Sequence, residues 1–544
     1  MKNYHKILIE YIHNYPNKFA LYLLVVTNFV CNNIFLFNFK YYSDDWSSLV
    51  YASGISCSIT KSLCESQRPI SNILFVFKQY FSEYVLFYHL LTLVTSTIFL
   101  ITVYYLFIKI FKDFGETNKF WPTISALIFS VLFNKDEIYP WAILCDGFGY
   151  FAPLLTIYFY MYKEKKNYLL ISIIMYFLSL MTYEVGVMVP VFLLGFDYLR
   201  SRHKTTSADF RKAFYFIIPL VIYLVIRITN WFGFGTVGID RGVGQYGLVT
   251  VIAILQAPII MSLVFIRNIE YSLIGYTQMG LGLILLLTVI NLILLYLVYQ
   301  FMISSHIDYF FHKNLVYSAI LLIITFMGPY IIRGGLGTVT REYYLTDIGL
   351  SLFIVCILMT IKNHTNVKII IFCFLGFGII VNQGLFYNWV ISGNIQNNIN
   401  NYIEENNDKL SKYEYVYFNA TSYKEKMPYN DEYIFSYQKI KNSVMKFIGI
   451  FPKTIDKRKQ DEFAYYRYFN ANCLDKWALQ AMIDGNTYSE YTLIYGSYGT
   501  IPVNVTKENI TYKDLDDGRI YTIKKEEVFE INYTGVEKSS CVFG

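Results

Sequence analysis

The sequence predicts a mainly α-helical protein: a polytopic bundle of transmembrane helices followed by a smaller, water-soluble α+β domain. Three observations predict it. Of 544 residues, 55% are hydrophobic, 19% aromatic and only 16% charged, too few charges for the surface of a soluble protein of this length. The charges are also unevenly spread, with 27 Lys/Arg and 19 Asp/Glu in residues 1–396 against 19 and 21 in residues 397–544. The first region is apolar and net basic, as expected of helices joined by cationic cytoplasmic loops, while the second has the charge density of a soluble domain. We therefore divide the chain into a membrane module, 1–392, and a C-terminal domain, 393–544. The third observation is a series of long apolar runs. Together these exclude a soluble enzyme, a nucleic-acid binder and a disordered chain, and the net charge of +6 reads as a topology signal.

Taken in order, the runs fall near 19–38, 84–108, 119–133, 147–162, 167–182, 185–199, 213–229, 280–303, 315–332, 344–361 and 369–388. They approach or exceed the roughly 20 residues that a helix needs to cross hydrocarbon, which predicts about eleven spans. A twelfth run, 248–266, carries Gln256 and Pro258 and ends in Arg267, and is expected to be re-entrant or interfacial. Parity supports that expectation. Basic residues cluster at Lys2, Lys6 and Lys18, at Lys109, Lys112 and Lys119, at Lys163, Lys165 and Lys166, and from Arg200 to Lys212, in every second loop. Because Lys and Arg favour the cytoplasmic side, the N-terminus is expected inside and the loops 40–83, 134–146, 182–185 and 230–279 outside. If 248–266 does not cross, loop 333–343 and the C-terminal domain are outside as well. No removable signal peptide is visible.

Cys31, Cys145, Cys356 and Cys373 lie in or beside apolar runs and read as packing residues. The other four fall in pairs by region, Cys57 with Cys64 and Cys473 with Cys541, and are disulfide candidates. Such bridges need an oxidising compartment such as a bacterial periplasm, in agreement with the non-crossing topology. In the C-terminal domain, strands are expected at 413–420, 491–496 and 519–534, and helices at 400–412, 436–448 and 474–484.

The first outside loop begins Tyr42-Ser43-Asp44-Asp45-Trp46 directly after a membrane helix. Two adjacent carboxylates beside hydrocarbon are costly to desolvate unless they meet a cation, a substrate hydroxyl or a base; alternatively, they are solvated and mark the end of the span. Arg68, in Gln67-Arg68-Pro69, suits either a phosphate or the acid pair, or serves as an interface anchor. The second outside loop adds Asp136, Glu137, Trp141 and Asp146. Acids with aromatic rings suit a sugar, since carboxylates accept hydroxyl protons and rings stack on the apolar face of a pyranose. Glu184 sits in a connection too short to leave the bilayer surface, which makes it a further candidate. Loop 333–343 offers Arg333, three glycines, Arg341 and Tyr343, which could cradle a lipid-borne phosphate or reach anionic headgroups. Two Gly-x-Gly-x-x-Gly strings, starting at Gly233 and Gly242, lack the flanking strand and helix of a dinucleotide site.

Taken together, the Asp-Asp pair, the Arg-Pro and the second acidic loop resemble the polytopic GT-C glycosyltransferases, which take sugar from a polyprenyl-phosphate carrier. Tyr183-Glu184-Val185-Gly186 through Pro190 and Asp197 resembles that family's Lys-Glu-x-Gly helix pair, and Arg341-Glu342-Tyr343-Tyr344-Leu345-Thr346-Asp347-Ile348-Gly349 its Arg-Tyr-x-Tyr-Leu-Pro-Ser-Ile-Gly segment. The likeness covers roughly residues 18–388, with Tyr183 in place of Lys, Glu342 inserted, and Thr346-Asp347 in place of Pro-Ser. O-antigen-modifying glucosyltransferases are the nearest functional parallel.

The resemblance implies an inverting transfer with Asp44 or Asp45 as general base, Asp136 and Glu137 nearby, and Arg68, Arg333 or Arg341 facing the phosphate. Its donor would be an undecaprenyl-phosphate-linked hexose such as glucose, and its acceptor a cell-surface glycan such as lipopolysaccharide O-antigen at the periplasmic face of the inner membrane. Carboxylates held by Asp44, Asp45 and Asp136 would suit magnesium or manganese, although the resemblance requires no metal. Two other readings stay open: an outer-leaflet polysaccharide polymerase or ligase, and a lipid-linked-sugar flippase. Against the flippase, the ionisable residues gather in loops and at helix ends rather than at the bilayer midplane.

Overall fold

The computed structural model describes residues 10–12, 14–39, 85–135, 138, 147–204, 210–229, 248–305, 311–332, 343–405, 415–419, 500–505, 508–514, 520–524 and 528–532. Thirteen α-helices are described among them. α1 (Pro16–Asn28) runs on through a π turn, Phe29–Asn33, and a 3-10 turn, Leu36–Asn38. Then follow α2 (Val85–Asp113), α3 (Phe120–Val131), α4 (Gly147–Met161), α5 (Tyr168–Thr182), α6 (Val189–Lys204), α7 (Phe210–Phe214) and α8 (Ile217–Thr229). The remainder are α9 (Leu248–Gln278), α10 (Leu281–Ser304), α11 (Lys313–Ile332), α12 (Thr346–Leu358) and α13 (His364–Glu405). Two tight reversals use residues that tolerate a left-handed backbone: Gly115, at φ 99°, between α2 and α3, and Asn167, at φ 68°, between α4 and α5.

Each of the eleven apolar runs coincides with a helix. Among the described residues, six segments are by themselves long and apolar enough to cross a membrane: Pro16–Asn38, Val85–Asp113, Gln256–Gln278, Leu281–Ser304, Lys313–Ile331 and His364–Ile391. The chain is therefore a multi-pass membrane protein. α3, α5 and α12 are apolar but only 12, 15 and 13 residues long. At 1.5 Å per residue they reach about 18–23 Å, short of the ~30 Å hydrocarbon core. For α3 that apolar character reflects burial against protein, since all twelve of its residues are buried, whereas Leu170 and Ile174 of α5 are exposed. A helix that is apolar on every side belongs inside a bundle.

The run 248–266 is corrected. It lies inside one unbroken helix, α9, which contains Pro258 and passes through Arg267 and Glu270 to a second apolar stretch, so it is not re-entrant. α9 packs on α13 through small residues. A Cβ added at Gly275 would lie 2.0 Å from the Gly384 carbonyl oxygen, and one at Gly384 would lie 2.4 Å from that of Ser272. Such close backbone approach is a common device for joining membrane helices.

Side-chain contacts separate two ends of the bundle. At one end meet the C-terminus of α2, the α4–α5 turn, the C-terminus of α6 and the start of α11, through Lys109–Asp113, Lys163–Asp197, Arg200–Asp113 and the Phe114–His312 ring pair. At the other end, Phe39 meets His89 and Phe386, Tyr150 meets Tyr183 and Tyr344, and Asn134 reaches Asp347. The chain stretches 40–84, 136–146 and 333–342 leave from this second end.

Beyond α13 the described residues form short strands. β1 (Tyr415–Asn419) pairs in parallel with β5 (Val528–Asn532), and β2 (Thr500–Val505), β3 (Asn509–Asp514) and β4 (Ile520–Lys524) form an antiparallel sheet in that order. The β2–β3 register shifts between Pro502 and Asn504, where proline cannot donate to the ladder. β1, β4 and β5 fall within two of the expected strand ranges; 491–496, 436–448 and 474–484 lie outside the described residues. The boundary drawn at residues 392–393 falls inside α13.

Candidate functional site

Asp44, Asp45, Arg68, Asp136, Glu137, Trp141, Asp146, Arg333 and Arg341 lie outside the described residues, as do Cys57, Cys64, Cys473 and Cys541. Glu184 opens a single 3-10 turn, Glu184–Gly186. Tyr343 is buried at the start of the turn into α12, where its carbonyl accepts the Asp347 N–H at 3.0 Å. Cys31 and Cys356 are buried free thiols, as packing residues should be, whereas Cys373 is exposed. The described residues that flank these stretches form one buried polar layer.

That layer centres on the C-terminus of α3. A helix ends with backbone carbonyls that lack intrahelical donors, and inside a membrane protein there is little water to satisfy them. Here five consecutive carbonyls each receive a side-chain donor. Lys135 Nζ donates to Phe129 O at 2.6 Å and to Leu132 O. Asn32 Nδ2 donates to Ser130 O at 3.2 Å, Asn382 Nδ2 to Val131 O at 2.8 Å, and Asn268 Nδ2 to Phe133 O at 2.8 Å. The donors come from the π turn after α1, from α9, from α13 and from the segment after α3 itself. The Lys135 ammonium is fully buried, lies 4.7 Å from the Phe129 ring centre, and faces the negative end of the helix dipole.

Asp347 answers it from the other side. It occupies the first turn of α12, where the positive end of the dipole favours a carboxylate. Its Oδ1 accepts from Asn134 Nδ2 at 2.9 Å, while Oδ2 and the adjacent Thr346 Oγ1 are buried without a partner. Lys135 and Asp347 interact electrostatically but make no direct ion pair. Each charge is thus held chiefly by a helix end.

Amide side chains extend this layer. Asn28 donates to Ser96 and Thr97 on α2, both at 3.1 Å. Gln383 exchanges two 2.8 Å hydrogen bonds with Asn291 on α10, accepts from Tyr276 on α9 and donates to Val30 O. Asn388 Nδ2 reaches Tyr271 O at 2.7 Å. Asn28, Asn32, Asn268, Asn291, Asn382 and Asn388 all stand in apolar runs, and that contrast was the available sequence signal. Nothing in the sequence marked Lys135, which stands beside the acids Asp136 and Glu137.

The opposite end is organised by ion pairs. Lys109 Nζ bonds both carboxylate oxygens of Asp113 at 2.6 Å, and Arg200 Nε lies 3.6 Å from the same group. Lys163 and Tyr160 both donate to Asp197. Burial pushes the Lys163 ammonium below the usual lysine range, and the Asp197 carboxylate opposes that shift.

Among the described residues no three His, Cys, Asp or Glu side chains are grouped to hold a metal ion. The carboxylates considered for magnesium or manganese lie outside them. Searches for related proteins found no matching family model, no similar curated protein and no similar solved structure.

Proposed function

We propose that this protein is a GT-C-like membrane glycosyltransferase that moves a hexose such as glucose from an undecaprenyl-phosphate carrier to a surface glycan such as O-antigen. Its membrane module would be residues 1–392 and its soluble α+β domain 393–544, both disulfide pairs lying in the periplasm. One observation supports the reading above the others. The stretches that carry Asp44–Asp45, Asp136–Glu137 and Arg333–Arg341 leave one end of the bundle, whereas the basic clusters gather at the other. By the positive-inside rule, the basic end faces the cytoplasm of the bacterial inner membrane and the acidic loops face the periplasm. α8 rises from the basic end, and α10 returns to it where Phe301 meets Phe19 and Phe120. α8 then ends, and α10 begins, on the periplasmic side.

In this reading a carboxylate of Asp44 or Asp45 takes the acceptor hydroxyl proton as its oxygen bonds to the anomeric carbon. The bond from that carbon to the carrier phosphate breaks on the opposite face, and the configuration inverts. Positioning lowers much of the barrier, and arginines of the same face stabilise the leaving phosphate. The test is surface-glycan mass and linkage in cells carrying Asp44→Asn, Asp45→Asn or both. A hexose-sized loss with normal membrane insertion is expected in at least one single variant and in the double variant. Full transfer in all three would overturn the assignment, and altered chain length in place of a missing hexose would indicate a polymerase.

A further inference from the structure

Arg267 stands within the apolar segment Gln256–Gln278 of α9, a helix whose outer face is open to lipid. Ile259, Leu263, Ile266 and Leu273 around it are each about three-fifths exposed. Arg267 behaves differently. Its side chain is partly buried, folded back over Tyr271 with the guanidinium carbon 5.5 Å from the ring centre, and its Nε is buried without a hydrogen-bond partner. The contact it does make is a long one, Nη2 to Asn268 Oδ1 at 3.4 Å. Neither an amide nor a ring neutralises a guanidinium, and among the described residues no carboxylate pairs with it. Glu270, on the same helix, points outward.

Arginine within an apolar helix is costly to leave unpaired, so a cation built into this position calls for an anion. The surroundings define which. The adjacent Asn268 ties α9 to Phe133 O, and the Phe265 ring lies tilted against Phe133 with centres 4.3 Å apart, so Arg267 sits where α3 ends and the acidic loop begins. The helix surface around Arg267 is apolar and exposed, so a phosphate ester on a hydrocarbon chain can meet the cation with its head while its chain covers Ile259, Leu263, Ile266 and Leu273. The planar fork of arginine matches phosphate oxygens two at a time. We infer that Arg267 is a binding residue for the phosphate ester of a membrane amphiphile, held at the α3–α9 junction with its chain against the apolar face of α9. Such a site would serve the phosphate-bearing carrier of the transferase reading and in that respect rests on it; hexose transfer together with failure of the binding test below would refute the role of Arg267 alone.

The experiment uses the full chain in maltoside detergent, which carries no phosphate, with farnesyl phosphate as probe and farnesol, inorganic phosphate and phosphatidylglycerol as competitors. The wild type should bind farnesyl phosphate at least about ten-fold more tightly than farnesol, and Arg267→Gln should abolish the difference. Arg267→Lys should lose only about three-fold, because it keeps the charge without the fork, and it carries the test if the Gln variant fails to elute as the wild type does. Competition by phosphatidylglycerol would identify a bulk headgroup as the source; competition by inorganic phosphate, a free anion; resistance to both, a dedicated phosphorylated carrier. Equal binding of farnesyl phosphate and farnesol by the wild type, or unchanged phosphate binding in both variants, would overturn the proposal. The second result is also what an Arg267 paired with a carboxylate of its own chain would give.

Discussion

The two ends of the bundle solve the same problem, charge and polarity next to hydrocarbon, by different means. At the basic end, Lys109 and Arg200 meet Asp113, and Lys163 meets Asp197, so cations and carboxylates satisfy one another directly. At the other end, buried amides and one lysine are spent on backbone carbonyls, and Asp347 Oδ2, Thr346 Oγ1 and Arg267 Nε are left without partners. The difference teaches where to look for chemistry. Paired charges near a helix terminus fix structure, whereas a carboxylate oxygen of Asp347 and a guanidinium nitrogen of Arg267 left unpaired beside the C-terminus of α3 are what a ligand would complete.

Four substitutions test that contrast, in decreasing order of expected effect. Asp197→Ala leaves the buried Lys163 ammonium without its carboxylate, and should lower stability by about 3–5 kcal/mol, as removal of one partner of a buried ion pair does. Thermal unfolding of the purified protein reads this directly; a melting temperature close to wild type would mean that the basic end is not held by its pairs. Lys135→Met strips the donor from two α3 carbonyls and should cost about 2–4 kcal/mol. Proteolytic susceptibility in micelles reports it, and wild-type resistance would show that the capping of α3 is dispensable. Gly275→Ala drives a methyl into the Gly384 carbonyl, so α9 and α13 must separate, at about 1–3 kcal/mol. Cross-linking of cysteines placed on the two helices should fall in yield, and an unchanged yield would place the close approach in doubt. Lys212→Gln breaks a pair in which Glu164 is 68% exposed, and a change under about 1 kcal/mol is expected. A larger effect there would make the basic end a single coupled network.

Much of this was legible in the sequence. Every apolar run became a helix, because a stretch that is apolar on all sides can satisfy its backbone away from water only by coiling. The sequence could not say whether lipid or protein surrounds such a helix: α3 is wholly buried, whereas Leu170 and Ile174 of α5 are exposed. Pro258 and Arg267 looked like the end of a run, yet α9 continues because apolar residues resume at Tyr271-Ser272-Leu273-Ile274. The role of Lys135 was illegible for another reason. Its partners are main-chain oxygens, which every residue carries and no residue type announces. Asn268 and Asn382 were visible as amides in apolar surroundings, but their common target was not, since it lies 135 residues away from one and 251 from the other.

That sequence separation has a consequence for biogenesis. α3 leaves the ribosome long before α9 and α13, and until they arrive its last carbonyls lack the amides of Asn268 and Asn382. The helix is also too short to rest in the bilayer as an independent span. Its terminal carbonyls are therefore fully capped only once the chain has been made past residue 382. Final closure of the bundle is in that sense a late event, triggered from the far end of the membrane module.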